Sequence, residues 1–216
     1  MIKITDLIKE ILAGDDVARE ALKLNYLNLS AYAKRIQPRI SERLYKPVGL
    51  GSVIVALSRL RNTFLSEPDY RPEVHIETMA IRPNLAELTF EKTDETLASA
   101  AALNPAVTGT DAFFCLTQGS QELTIIFEAK YTSEVLTQFM RKPKGQYVNL
   151  TAITVKFIEA DYIEVPNMIY TLVSALAVKR INLIEIVSTF TELSFIVRSK
   201  DAEQTIMSLS PFLTSG

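Results

Sequence analysis

Few residues in this chain have the types that covalent chemistry needs. His75 and Cys115 are its only histidine and its only cysteine. One of each cannot make a zinc site of the usual nitrogen and sulfur ligands, and any imidazole-assisted nucleophile would rest on His75 alone. Cys115 sits in the apolar run "AFFCL" without a basic neighbour and reads as an inert thiol, while His75 reads as structural or superficial. The stretch "STFTE", Ser188 to Glu192, sets hydroxyls beside a carboxylate. Neighbouring strand residues face opposite ways and no base accompanies them, so a hairpin turn is the better account. The acid pairs Asp15–Asp16 and Asp94–Glu95 stand at expected helix starts, where the helix dipole favours them. The chain is therefore expected to have no catalytic residues, no cofactor and no metal.

Charge points instead to binding. From Ser30 to Arg61 seven basic residues face one acid, Glu42, a net +6 in a chain whose total is −2. Such asymmetry suggests an anionic partner for one part of the molecule. Within it, "ISERLYKPVGLGSVIVALSRLR" is similar to helix-turn-helix sequences, and Lys34, Arg35, Arg39, Arg43, Lys46 and Ser52 are the candidate nucleic-acid contacts. Val53, Ile54 and Val55 give the second helix an apolar start, which argues against base reading, whereas phosphate contact by the basic residues needs only charge.

The elements that would position these groups fall into two sorts. Residues 1–65 read as helical. Ile4, Leu7, Ile8 and Ile11 share one helix face, closed by Gly14. Asp15 or Asp16 caps a second helix whose face is Val17, Ala21 and Leu24, and Ser30 caps a third that should break near Gln37, ahead of Pro38. A turn at Lys46–Gly51 precedes a fourth helix, Val53 to Asn62, capped by Ser52. Residues 66–73, with two prolines and three acids, read as a linker.

Beyond the linker an internal repeat follows, at 74–146 and 147–216. Its first copy has "LAELTFEK" as strand, "TDETLASAAALN" as helix, a hairpin about Gly119 and Ser120, and "TSEVLTQFM" as helix. Its second copy has "LTAITVKFIE" as strand, a helix with Pro166 in the first turn and Ile169, Leu172, Val173 and Leu176 on its buried face, a strand pair, and "SKDAEQTIMSL" as helix. Ile153, Val155 and Phe157 alternate with Thr154 and Lys156, so this strand should cover a core on one side only. The fold class is α+β, with helices on one face of each sheet.

The run "PNMIYTLVSALAVKRINLIEIVSTFTELSFIVRSKDA" resembles the second ACT domain of the aspartate kinase regulatory region. The features are Pro166 before a helix, Ile181–Asn182 opening a strand, Ser188–Thr189 with Glu192 nearby, and the apolar strand "LSFIV". The resemblance implies two ferredoxin-like βαββαβ ACT domains, which here follow the N-terminal all-α, helix-turn-helix-like domain. It also implies a homodimer and an effector amino acid held where two such domains meet. The family's effector contacts carry over to Asp161, Glu164, Pro166, Asn167, Met168 and Asn182. Exposed N–H groups at a helix start suit a carboxylate there, and an acid suits an ammonium. Where the family places Gly after the proline, this chain has Asn167. The glycine-rich phosphate loop of the kinase domain does not occur in these 216 residues.

Two functions are therefore expected. In the first, a non-catalytic regulator senses an amino acid through tandem ACT domains and controls a DNA-binding helical domain. In the second, ACT domains serve dimerisation, or a free-standing regulatory subunit of an amino-acid biosynthetic enzyme, without nucleic-acid contact. No apolar run approaches the ~20 residues that span a bilayer, and no secretory signal is evident, so a cytoplasmic protein is expected.

Overall fold

The computed structural model describes residues 3–65, 71–109, 112–158 and 165–214. The chain divides into two units, Met1–Tyr70 and Arg71–Gly216.

The first unit is helical: α1 (Ile4–Ala13), α2 (Asp16–Lys23), α3 (Leu29–Arg43) and α4 (Leu50–Phe64). One core holds it together, built on Ile8, Leu12, Leu22, Ile40, Val53, Leu57 and Leu60. Each of these side chains contributes about 1.5–3 kcal/mol by leaving water. Asp15 caps α2, its Oδ1 accepting the Ala18 N–H at 3.0 Å and its Oδ2 the Tyr32 hydroxyl at 3.1 Å. The face of α2 is one residue out of phase with the expected one: Ala18 and Leu22 are buried, and Val17 and Leu24 are exposed. α3 runs unbroken through Pro38, which occupies an exposed position between the buried Ile36 and Ile40. Burial of those flanking side chains offsets the hydrogen bond that proline removes. Gly49, not Ser52, is the N-cap of α4, because Leu50 and Val53 must both reach the core and the helix starts early enough to place them. The α3–α4 turn is held by Gln37, whose Nε2 donates to the Val48 carbonyl at 2.7 Å, and by Ser41, whose Oγ accepts from Val48 N at 3.2 Å.

The second unit contains one six-stranded antiparallel sheet. Its elements are β1 (Ile76–Glu91), α5 (Asp94–Ala101), α6 (Pro105–Thr108), β2 (Cys115–Gln118), β3 (Glu122–Glu128), α7 (Thr132–Gln138), β4 (Gly145–Phe157), α8 (Met168–Val178), β5 (Leu183–Ser188), β6 (Glu192–Arg198) and α9 (Ala202–Leu209). The strand order is β2-β3-β1-β4-β6-β5. Each repeat is thus βαββα and supplies three strands; β1 and β4 pair with each other, so the two repeats share one sheet.

The repeat is visible in the register. Leu85–Glu91 pairs with Glu122–Glu128 as Leu150–Lys156 pairs with Glu192–Arg198, and Leu85 and Leu150 are themselves partners where β1 meets β4. Just before each leucine stands an asparagine in the left-handed region, Asn84 at φ 58° and Asn149 at φ 56°, where asparagine is better tolerated than most residues. The hydroxyl pairs Thr89–Thr124 (3.0 Å) and Thr154–Ser194 (2.7 Å) occupy equivalent cross-strand positions. Both long strands begin earlier than their apolar alternation shows. The first half of β1, Ile76–Arg82, pairs only with β4, and the segment after α9 returns to bridge its start, with Thr214 N donating to the Ile76 carbonyl at 3.0 Å.

Two helix-covered cores lie on one face. Ala86, Leu88, Phe90, Ile125, Phe127 and Val135 form the first. Ile153, Val155, Phe157, Leu172, Leu176, Phe195 and Leu209 form the second. The buried face of α8 is Met168, Thr171, Leu172 and Leu176; Ile169 is turned out, 42% exposed. The opposite face is not left to solvent at its centre. Leu85, Ile126, Leu150, Ala152 and Ile196 cluster there, with Phe113 and Cys115 from one sheet edge and Ile184 and Val187 from the other. No helix residue belongs to this cluster, yet Leu85, Ile126, Leu150, Ala152 and Ile196 are almost wholly buried, so the sheet curls over it with this face concave.

Candidate functional site

The first candidate place is the start of α8. The connection from β4 to α8 is ten residues, Ile158 to Asn167, against two, Lys92 and Thr93, in the first repeat. Asp161 and Glu164 lie outside the described residues. Pro166 is exposed and precedes the N-cap instead of entering the first turn of α8. Asn167 is that N-cap, at φ 69° and without a side-chain capping bond, so it takes the left-handed conformation in which the resemblance would place glycine. Thr171 Oγ1 donates to its carbonyl at 3.0 Å. Asn167 and Met168 line an open cleft of about 460 Å³ with Val165, Ile169 and Tyr170, and the Arg71 guanidinium sits 5.8 Å from the Tyr170 ring centroid.

Asn182 is exposed and immediately precedes β5. An 11-residue helix, about 16 Å long, separates it from Asn167. β4 and β5 both run antiparallel to β6, so these two asparagines sit at opposite ends of the sheet. Among the described residues, Asn167 and Asn182 are not brought together within one chain.

The concave face holds what alternation alone did not single out. Glu87, on β1, is 4% exposed, and its Oε2 has no hydrogen-bond partner. Burial, with the Glu185 carboxylate adding to it, pushes its carboxyl up to about 7. Glu185, on β5, is likewise raised by burial. The Cys115 thiol is raised by burial and by both glutamates, against a weak contact to Thr117 Oγ1 at 3.7 Å. β1 and β5 are three strand spacings apart, roughly 14 Å in a flat sheet, so their mutual influence is a second mark of the curl. A raised thiol is a poor nucleophile, and nothing here assembles a catalytic group. His75 is near the surface, its Nε2 3.7 Å from Glu73 Oε1.

In the helical unit the basic candidates have different surroundings. Arg43 is ion-paired to Glu10. Arg35 and Arg39 are exposed on the rim of a cleft of about 600 Å³ whose other side carries Glu10, Asp15 and Asp16. Lys34 and Lys46 are exposed, and Ser52 is exposed in the first turn of α4. Val53 in that turn is fully buried, so the start of α4 faces the core of its own unit. Among the described residues no group of three or more metal-ligating side chains occurs, and no helix is long and apolar enough to cross a membrane.

No family model matches the chain, and no curated protein matches it in sequence. Solved structures do match in fold. The regulatory subunit of aspartate kinase from Thermus thermophilus, in a ligand-free form, aligns at TM-score 0.50 and 12% identity, over 63% of this chain and 97% of its own. The corresponding subunit from Thermus flavus aligns at TM-score 0.51 and 10% identity, and a structure of aspartokinase alpha and beta subunits at 0.51 and 13%, with the same coverages. A share of 63% is about twice what the 70-residue helical unit holds, so at least about half of the matched length lies in the sheet unit. The sheet unit therefore has the ACT-like α+β fold of aspartate kinase regulatory subunits, and two of these matched chains are regulatory subunits by name.

Proposed function

We propose that this chain is a non-catalytic regulatory subunit: its ACT-like sheet unit self-associates, responds to a small amino acid, and acts on a partner enzyme of amino-acid biosynthesis. The observation that supports this is the coverage of 97% of a regulatory subunit of aspartate kinase by a chain with no assembled catalytic group among its described residues. The separation of Asn167 from Asn182 fits self-association. Two copies can bring the α8 start of one against the β5 start of the other, as one copy cannot. The second of the two expected functions, without nucleic-acid contact, is thus the favoured one. Arg43 is already paired within its unit, and the start of α4 faces its own core.

Light scattering of the full chain at micromolar concentration tests the self-association. The expected mass is twice that of one chain, and a monomer contradicts the reading. An electrophoretic shift with duplex DNA at low salt should show no complex. A complex with a steep negative salt dependence would restore the DNA-binding alternative.

A further inference from the structure

The two repeats differ at one pair of equivalent positions in a way that creates a charged pocket. β3 and β6 each end in a residue followed by a short 3-10 turn and a helix: Glu128, then Ala129–Tyr131 and α7; Arg198, then Ser199–Asp201 and α9. Leu85 pairs with Glu128 as Leu150 pairs with Arg198, so Glu128 and Arg198 are counterparts, and so are Lys130 and Lys200. In the first repeat Lys130 Nζ lies 2.5 Å from Glu128 Oε2, and the site neutralises itself. In the second the acid is replaced by arginine. Among the described residues neither Arg198 nor Lys200 makes an ion pair.

Around these two cations lies a surface pocket of about 480 Å³, lined by Arg198, Ser199 and Lys200 together with Gln146, Tyr147, Val148 and Asn149. No acid is among the lining residues. Asp201, next in the chain, belongs to the 3-10 turn and does not line it. The remaining polar groups are neutral donors: the Gln146 and Asn149 amides and the Ser199 hydroxyl, which is positioned by Thr151 at 2.9 Å. Tyr147 holds the Arg198 guanidinium 5.8 Å from its ring centroid. β6 stops opposite Leu150, so Gln146 and Tyr147 pair with β1 on one side and leave their other edge open. Two unneutralised cations, neutral donors and no lining acid make a site complementary to an oxyanion.

We propose that this pocket binds the oxyanion group, phosphate or carboxylate, of a small ligand, and that the Glu-to-Arg difference between the repeats is what creates it. The proposal concerns neither the α8 start nor self-association and stands independently of the regulatory reading. Its test is amide chemical-shift titration of the isotope-labelled full chain with inorganic phosphate and, separately, with acetate, at constant ionic strength. Shifts at Gln146–Asn149 and Ser199–Lys200 are expected with at least one of the two probes, and which one responds identifies the group. Arg198→Glu copies the first repeat and lets Lys200 pair internally, so binding should weaken by about tenfold or more. Lys200→Gln should weaken it several-fold, while Lys130→Gln should leave it unchanged. Should Arg198→Glu lose its fold by circular dichroism, Lys200→Gln against Lys130→Gln decides. The proposal is overturned by no localised shift at tens of millimolar of either probe, by shifts mapping elsewhere, or by unchanged affinity in Lys200→Gln or folded Arg198→Glu.

Discussion

Glu87→Gln should make the sheet unit more stable at alkaline pH and leave it nearly unchanged in mild acid. The carboxyl is 4% exposed, lacks a partner for Oε2, and titrates at about 7, where 4.5 is ordinary. A carboxyl whose folded value is raised binds its proton more tightly in the folded chain than in the unfolded one. Below 4.5 both states are protonated and no penalty exists; from there to about 7 the folded state loses stability as pH rises. At ~1.4 kcal/mol per tenfold, the full loss is at most about 3–4 kcal/mol. Glu185, also raised, is the titratable group that influences this carboxyl, and it adds a loss of the same sign. Urea unfolding of wild type and Glu87→Gln at pH 5 and pH 8 isolates the Glu87 share together with its coupling to Glu185 and Cys115, because the groups that do not interact with it cancel in the comparison. The difference should move by about 2–3 kcal/mol in favour of glutamine between the two pH values. A difference that is the same at both, or one favouring glutamate at pH 8, would refute the reasoning, since the carboxylate would then have a partner or solvent.

Other predictions concern stability. Asn167→Gly should be neutral or slightly stabilising, and Asn167→Val should cost about 1–2 kcal/mol in thermal unfolding, because only the left-handed backbone at φ 69° separates them. Asp15→Ala removes both the α2 cap and the acceptor of the Tyr32 hydroxyl and should cost about 1–2 kcal/mol, whereas Asp15→Asn should retain most of that. Leu85→Ala and Leu150→Ala, fully buried at equivalent positions, should each cost about 2–5 kcal/mol; a cost below 1 kcal/mol would mean that the concave cluster is not a core.

What the sequence shows and what it hides have physical causes. The repeat was legible because Ile153, Val155 and Phe157 alternate with polar residues, and the helix-covered cores follow from that alternation. The concave core was not. Thr154 and Lys156 on β4 read as a solvent face; Glu87 on β1 stands on the same side of the sheet, and only the curl, a property of the whole sheet, buries it. The first half of β1 was hidden by Pro83 and by polar residues that pair with β4 alone. On α2, Ala18 is too small to outweigh Val17 in a hydrophobic pattern, which shifted the face by one residue. Asn182 and Asn167 could be named from the resemblance, but their placement at opposite ends of α8 is a matter of topology. The Glu128–Arg198 exchange is written in the sequence, yet it becomes meaningful only once strand register makes the two residues counterparts.

The regulatory reading is tested most directly by the melting temperature of the full chain with each of the twenty amino acids. A ligand at about a hundred times its Kd adds ~2.7 kcal/mol to the folded state, roughly 5–10 °C for a chain of this size. One or a few amino acids should produce such a rise, and Asn182→Ala should abolish it without lowering the unliganded melting temperature by more than a degree or so. If none of the twenty moves the midpoint at millimolar concentration, the chain does not sense an amino acid and the account is contradicted.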